Sequence, residues 1–160
     1  MNLLEVERKF LVVGEFKSFA TSSTCISQGY IASGNGRTVR VRIRGDKGYL
    51  TIKGPSDKAG IARFEWEKEI PMAEAEALMK ICEPGIIKKK RWIVPWTDGH
   101  TWEVDVFEGD NEGLVMAEVE LDSENEAIEK PPFIGQEVTG DRRYYNSHMR
   151  RYPYKLWASL

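Results

Sequence analysis

The sequence offers little to a soft metal and nothing to a disulfide scaffold. Its 160 residues include two cysteines, Cys25 and Cys82, and two histidines, His100 and His148. None has the spacing of a zinc site, and two thiols are far below the density of an oxidised secreted framework. Long hydrophobic runs are missing as well, with no stretch near the roughly 18 apolar residues that a membrane helix needs. The opening MNLLEVERKF carries charges where a secretory leader has its apolar core. There is no Walker sequence, no glycine-rich dinucleotide loop, no internal repeat and no low-complexity tract. These absences leave the expectation of a single domain over residues 1–160 in the cytoplasm, with no membrane partner.

Charge, by contrast, is abundant and ordered. The 23 basic and 25 acidic residues nearly cancel, to a formal net charge of −2, but they fall along the chain with a period of two. Glu5, Glu7 and Lys9 alternate with Leu4, Val6, Phe10 and Val12, and only Arg8 breaks the apolar side. Arg40, Arg42 and Arg44 alternate with Val39, Val41 and Ile43, while Tyr49, Thr51 and Lys53 alternate with Leu50 and Ile52. Arg63, Glu65, Glu67 and Glu69 oppose Phe64, Trp66 and Ile70; Lys89 and Arg91 oppose Lys90, Trp92 and Val94. Glu103 and Asp105 oppose Trp102, Val104 and Val106, and Glu118 and Glu120 oppose Ala117, Val119 and Leu121. A weaker strand, ISQGYI, puts Gln28 and Tyr30 on one face. Such alternation marks β-strands with one buried face. Turn sequences such as SGNG, GDKG and EGDNEG divide the chain into an antiparallel meander of about eight strands.

Three helices are expected beside the strands. PMAEAEALMKIC has strong helix formers and a proline in its first turn, and DRRYYNSHMRRY follows a cap at Thr139 or Asp141. SENEAIEK is shorter, with Ser123 and Glu126 arranged as a capping box.

A single charged strand face is ordinarily a solvated one. Several strands carrying rows of like charge are different, because an open sheet would set those charges against one another. Closing about eight strands leaves an interior wide enough for side chains or one slim ligand. The expected architecture is therefore α+β: a closed eight-stranded antiparallel barrel, a tunnel with a charged lumen. Its apolar residues, Trp66, Trp92 and Trp102 among them, lie outside beneath the helices.

Burying unpaired charges costs on the order of several kcal/mol each even after relaxation, so such a lumen must be hydrated or filled. Carboxylates at i and i+2 on neighbouring strands make oxygen-rich pockets suited to hard cations such as Mg²⁺ or Mn²⁺. Arginines and lysines at the same spacing make a ladder suited to phosphate oxygens along an extended anion. A linear polyphosphate bridged by metal satisfies both. The basic run KKKR alone would suit nucleic acid, but acidic strands share its surface, so no nucleic-acid partner is expected.

The residues carrying this pattern occur in a distinctive order. They are Glu5-x-Glu7-x-Lys9, Gln28-Gly29-Tyr30, Arg40-x-Arg42, Lys53, Arg63-x-Glu65-x-Glu67, Lys89-x-Arg91, Glu103-x-Asp105-x-Phe107 and Glu118-x-Glu120, closing with EVTGDRRYYN. In these motifs the chain resembles the triphosphate tunnel metalloenzymes, or CYTH superfamily, over nearly its whole length, and its size is similar to that of the compact bacterial members. The resemblance implies Mg²⁺- or Mn²⁺-dependent hydrolysis of inorganic triphosphate, with nucleoside triphosphates as side substrates, by a monomer or homodimer. Adenylate cyclase and thiamine triphosphatase are alternative activities of the same tunnel, and a non-catalytic polyphosphate- or nucleotide-binding module is the alternative of another class. Carried over residue by residue, the resemblance gives Glu5, Glu7 and Glu120 to a first metal, and Glu103, Asp105 and Glu118 to a second. Lys9, Arg40, Arg42, Lys53, Lys89 and Arg91 bind phosphates, joined by Arg143 from the C-terminal segment. Glu65 and Glu67 either approach the metals or pair with the basic ladder. Lys89, with Tyr30 nearby, is the candidate general base; a purely electrostatic Lys89 is the alternative.

Overall fold

The computed structural model describes residues 3–159. Nine strands make one antiparallel sheet: β1 (Leu4–Val12), β2 (Ser22–Gly34), β3 (Arg37–Arg44), β4 (Lys47–Ser56), β5 (Ala62–Ile70), β6 (Ile87–Pro95), β7 (Thr101–Phe107), β8 (Val115–Glu120) and β9 (Ile134–Glu137). Around the ring the order is β5-β4-β3-β2-β6-β7-β8-β1, and pairing of β1 with β5 closes it into an eight-stranded barrel. Every strand expected from the alternation is present. The ninth, β9, attaches beside β1; its four residues, IGQE, are too short to show a period. The hairpin between β2 and β3 turns on Asn35 and Gly36, both with positive φ (52° and 76°), which is what a two-residue turn matched to strand twist requires.

The alternation sorts apolar residues to the outside. Phe10, Val94, Trp102, Val104, Ala117 and Val119, from β1, β6, β7 and β8, are all 0% exposed. Trp102 meets Phe10 edge-on at 5.5 Å between ring centroids. Helices cover only part of this surface. Helix α1 (Met72–Met79) lies over β2, β3 and β4, with the buried Ala75 seated on Gly48, where an added Cβ would stand 2.4 Å from the alanine's.

The larger core is roofed instead by irregular chain, residues 13–21 and 121–133, which contribute Phe16, Ile128 and Phe133. The helix expected at 123–130 does not form. Glu126 turns its carboxylate to the Asp122 amide and the His100 ring, and Pro131 follows, disfavouring helical backbone in the residue before it.

The expected helix over 141–152 is also broken. Asp141 does cap, accepting from the Arg143 amide at 3.1 Å, but it caps only a 3₁₀ turn, Arg142–Tyr144. Tyr145 is extended (φ −76°, ψ 128°), and α2 is limited to Asn146–Met149. Asn, Ser and His have modest helix propensity, and tertiary contacts decide such a segment. Here Tyr144, Met149 and Val138 pack on Ile87, Phe107, Leu114 and Met116. These four residues continue the strands that carry Lys89, Asp105 and Glu118, so the lumen turns apolar at the end where the C-terminal segment docks.

Candidate active site

The register separates the charges into two walls. Strands β5, β1, β8 and β7 are consecutive around the barrel and carry Glu65 and Glu67, Glu5 and Glu7, Glu118 and Glu120, and Glu103 and Asp105. Strands β6, β2, β3 and β4 complete the ring with Lys89 and Arg91, Gln28 and Tyr30, Arg40 and Arg42, and Lys53. Within the acidic wall Glu7 stands opposite Glu120, and Glu103 opposite Glu118. Lys9 is the one cation of β1 on this face, opposite Glu118 with its Nζ 3.7 Å from that carboxylate.

The seams between the walls are neutralised. At β6–β7, Arg91 clasps Asp105 through two bonds of 2.8 and 3.0 Å and reaches Glu103 at 2.9 Å, while Lys89 Nζ meets Asp105 at 2.7 Å. Across the other seam, Lys53 lies 2.8 Å from Glu5 and 3.3 Å from Glu65, and Arg40 pairs with Glu67 at 3.4 Å.

The middles are not neutralised. Burial, then the neighbouring Glu118 and Glu5, raises the Glu7 carboxyl well above the usual range. Burial with Glu103, Glu5 and Glu118 raises Glu120. Glu118 differs: burial pushes it up, but Lys9 and Arg91 outweigh that and hold it at about 2. On the basic wall, burial followed by Arg40 and Arg91 pulls the Arg42 guanidinium down to about 9, and among the described residues no carboxylate makes an ion pair with it. Arg40 Nε is buried without a hydrogen-bond partner among the described residues, an orphaned donor on the same wall. Burial lowers the Lys89 ammonium, Asp105 opposes, and Arg91 and Arg42 reinforce the lowering, leaving it at about 7. Each wall therefore presents uncompensated charge to a cavity of about 180 Å³ lined by Glu7, Lys9, Arg40, Arg42, Lys89 and Glu120 among others.

The donor set fits a hard divalent cation. The lining contains carboxylate oxygens from β1, β7 and β8 and neither histidine nor cysteine, a composition suited to Mg²⁺ or Mn²⁺ and unsuited to zinc. A cation beside Glu7 and Glu120 relieves the repulsion that raises both. Among the described residues no three such side chains converge on one point, so the fit rests on donor chemistry and charge.

Comparison with known proteins shows the family. The family model for the CYTH domain matches residues 3–151. The chain belongs to the CYTH domain family. It is 48% identical over 152 residues to an inorganic triphosphatase of Acetivibrio thermocellus, covering 94% of this chain and 96% of that protein. It is 34% identical over 147 residues to an inorganic triphosphatase of Nitrosomonas europaea, covering 90% and 95%. A crystal structure of an inorganic triphosphatase superposes with a TM-score of 0.66 at 32% identity, covering 91% of this chain and 93% of that one.

Most residues singled out from the CYTH motifs line the cavity: Glu5, Glu7, Lys9, Tyr30, Arg40, Arg42, Lys53, Lys89, Arg91, Glu103, Glu118 and Glu120 all do. Two sit elsewhere. Asp105, expected at a second metal, has both oxygens committed to Arg91 and Lys89 and is 2% exposed. Arg143 does not reach the lumen. Asp141 holds its guanidinium at 2.8 Å, the Tyr144 and Trp157 rings flank it, and its side chain is 62% exposed. The same C-terminal segment instead supplies Thr139, Tyr145, Asn146 and Ser147 to the lining. Nor do Lys89 and Tyr30 bond directly among the described residues; Gln28 and Asn146 stand between them. Glu65 and Glu67 both pair with the basic ladder, the second of the two roles open to them.

Proposed function

We propose that this chain hydrolyses inorganic triphosphate to orthophosphate and pyrophosphate within the barrel lumen, with Mg²⁺ or Mn²⁺ as cofactor, as a cytoplasmic single-domain enzyme. The observation that carries the reading is the opposition of an uncompensated basic surface at Arg42 to an uncompensated acidic one at Glu7 and Glu120. A triphosphate with its metal is the ligand class that satisfies both, and the triphosphatase names of the relatives agree with it.

Arg40, Arg42, Lys89 and Arg91 hold the phosphate oxygens, with Lys53 and Lys9 at the margins. Glu5, Glu7, Glu118 and Glu120, with Glu103 beside them, would hold the metal. When bound, that ion neutralises phosphate charge and acidifies a coordinated water. Because the transition state spreads charge over the transferred phosphoryl oxygens, most of the protein's contribution is positioning and electrostatic stabilisation. Lys89, with its pKa at about 7, is neutral in a large fraction of molecules near neutrality and can take a proton from the attacking water. Asp105, out of the metal set in this reading, fixes the directions of Lys89 and Arg91.

The test is a panel with Mg²⁺ or Mn²⁺ and four substrates: tripolyphosphate, pyrophosphate, ATP and thiamine triphosphate. Orthophosphate release should be greatest from tripolyphosphate. Cyclic AMP from ATP would make the protein a cyclase, and binding without turnover would make it a non-catalytic module.

A further inference from the structure

The lumen holds its cations in two ways. Lys53, Arg40 and Arg91 are fixed by carboxylates, which also offset their charge, and Lys89 has Asp105 at 2.7 Å on one side. Arg42 is fixed by a neutral acceptor, Oε1 of Gln28, 3.0 Å from its Nε. Gln28 is 0% exposed, so its amide has no bulk water to turn to and must be satisfied within the protein. Its Nε2 donates to Asn146 Oδ1 at 3.0 Å and to the Tyr30 hydroxyl at 3.2 Å. The same Asn146 oxygen accepts from Lys89 Nζ at 2.9 Å. Two amides thus join Arg42 on β3 to Lys89 on β6.

The orientation of both amides is dictated by what they touch. A guanidinium and an ammonium only donate. Gln28 must therefore turn its oxygen to Arg42, which sends its NH₂ towards Asn146. Asn146 must answer with oxygen, as it must for Lys89. Flipping either amide would set donor against donor. A carboxylate at either position would hold the cations as firmly but would cancel charge that a phosphate needs. At Arg42 a neutral carbonyl directs without cancelling; at Lys89, which Asp105 already pairs at 2.7 Å, it adds a second direction without a second negative charge.

We propose that Gln28 and Asn146 form a neutral amide bridge that aligns Arg42 and Lys89 on one phosphoryl group of the triphosphate. This rests on the proposed triphosphatase function of the lumen and goes beyond it by assigning a role to the C-terminal segment. Both are positioning residues: they act through Arg42 and Lys89. Asn146 brings this alignment under the control of the segment that closes the apolar end of the barrel, so that docking of residues 138–149 and readiness of the two cations become one event.

A double-mutant cycle tests the bridge. The near-isosteric variants Gln28→Met and Asn146→Leu should each lower kcat on tripolyphosphate about tenfold, and the double variant should lose about the same, because a broken bridge is not broken twice. Asn146→Asp keeps both acceptor bonds but adds a negative charge beside the phosphate, so it should raise KM for tripolyphosphate about tenfold, where the two apolar variants act chiefly on kcat. A residue that served only to stabilise the fold would show no such division between kcat and KM. Thermal melting of each variant confirms folding, with Asn146→Ala replacing Asn146→Leu if the latter does not fold. The proposal is overturned if the single losses multiply in the double variant, or if Asn146→Asp binds as wild type does. Should the wild-type protein bind tripolyphosphate without cleaving it, the functional reading falls, and the same cycle read as tripolyphosphate affinity by calorimetry still decides the bridge.

Discussion

Arg42 and Glu7 are where single substitutions divide the chemistry most cleanly. Arg42→Ala removes charge-assisted hydrogen bonds worth about 1.5–3 kcal/mol, so tripolyphosphate affinity should fall roughly ten- to a hundredfold. Glu7→Gln preserves shape but removes a metal-facing charge. It should lower metal-dependent turnover by about two orders of magnitude, the scale seen when one electrostatic contact to a transition state is lost. Steady-state kinetics with a metal titration separate the two effects, and full activity in both variants would refute the site. His100 offers a separate check outside the lumen. Its pKa is raised, first by hydrogen bonding to Glu126 and then to Asp98, against a small opposing effect of burial. A raised folded-state pKa means stability that is complete below the unfolded value of about 6.5. That stability is lost as pH climbs through the folded one. Thermal unfolding should therefore show a decline above about pH 6.5 that His100→Gln removes, and NMR titration of the imidazole should report the raised pKa directly. At this scale the sequence was legible where charge alternates, because a period of two is a local property. Asn146 was not legible: its partner Gln28 is 118 positions away, and a nearby arginine, Arg143, is the better phosphate ligand by residue type alone, until Asp141 claims it.

The elements tell a similar story about local and distant causes. All eight long strands could be read from alternation, since each carries its own signal. The helices at 123–130 and 141–152 were expected from propensity and capping residues, and tertiary demand overrode both: His100 captured Glu126, and the apolar end of the barrel captured Tyr144 and Met149. The C-terminal segment sits against the β4–β5 loop at a glycine pair. Gly60 has φ +73°, and an added Cβ there would stand 2.4 Å from the Gly140 Cα. Gly60→Ala meets two costs, the left-handed backbone (about 1–2 kcal/mol) and the contact with main chain, which has no flexible end to move. Its melting temperature should drop by at least roughly 2–4 °C for each kcal/mol lost. If the segment is displaced, KM for tripolyphosphate should rise with it. An unchanged melting temperature would mean that the two loops do not touch in solution.

For the whole molecule, the segregation of charge into two walls makes the lumen a store of repulsion that an appropriate ligand relieves. Ligand binding should then stabilise the entire barrel. Tripolyphosphate at a hundred times its Kd would add about 2.7 kcal/mol, or roughly 5–11 °C in melting temperature at the conversion of about 2–4 °C per kcal/mol for a chain of this length. Differential scanning with and without the ligand measures this, and no shift at saturation would argue against lumen binding. The closed barrel was legible in the sequence because rows of like charge have no stable arrangement on an open sheet. What roofs its outer face was not, because irregular segments leave no periodic trace.

β1 has a consequence for how the chain is made. Of the nine strands it leaves the ribosome before the others, yet its partners are β5, β8 and β9, so its ladder is complete only when residue 137 has been synthesised. The β5 contribution is a short register of Leu4, Val6 and the residue between them. Until β8 emerges, the strand bearing Glu5, Glu7 and Lys9 has little to hold it. Its row of exposed charges then serves a second purpose, as a guard against mispairing with neighbouring chains during that wait.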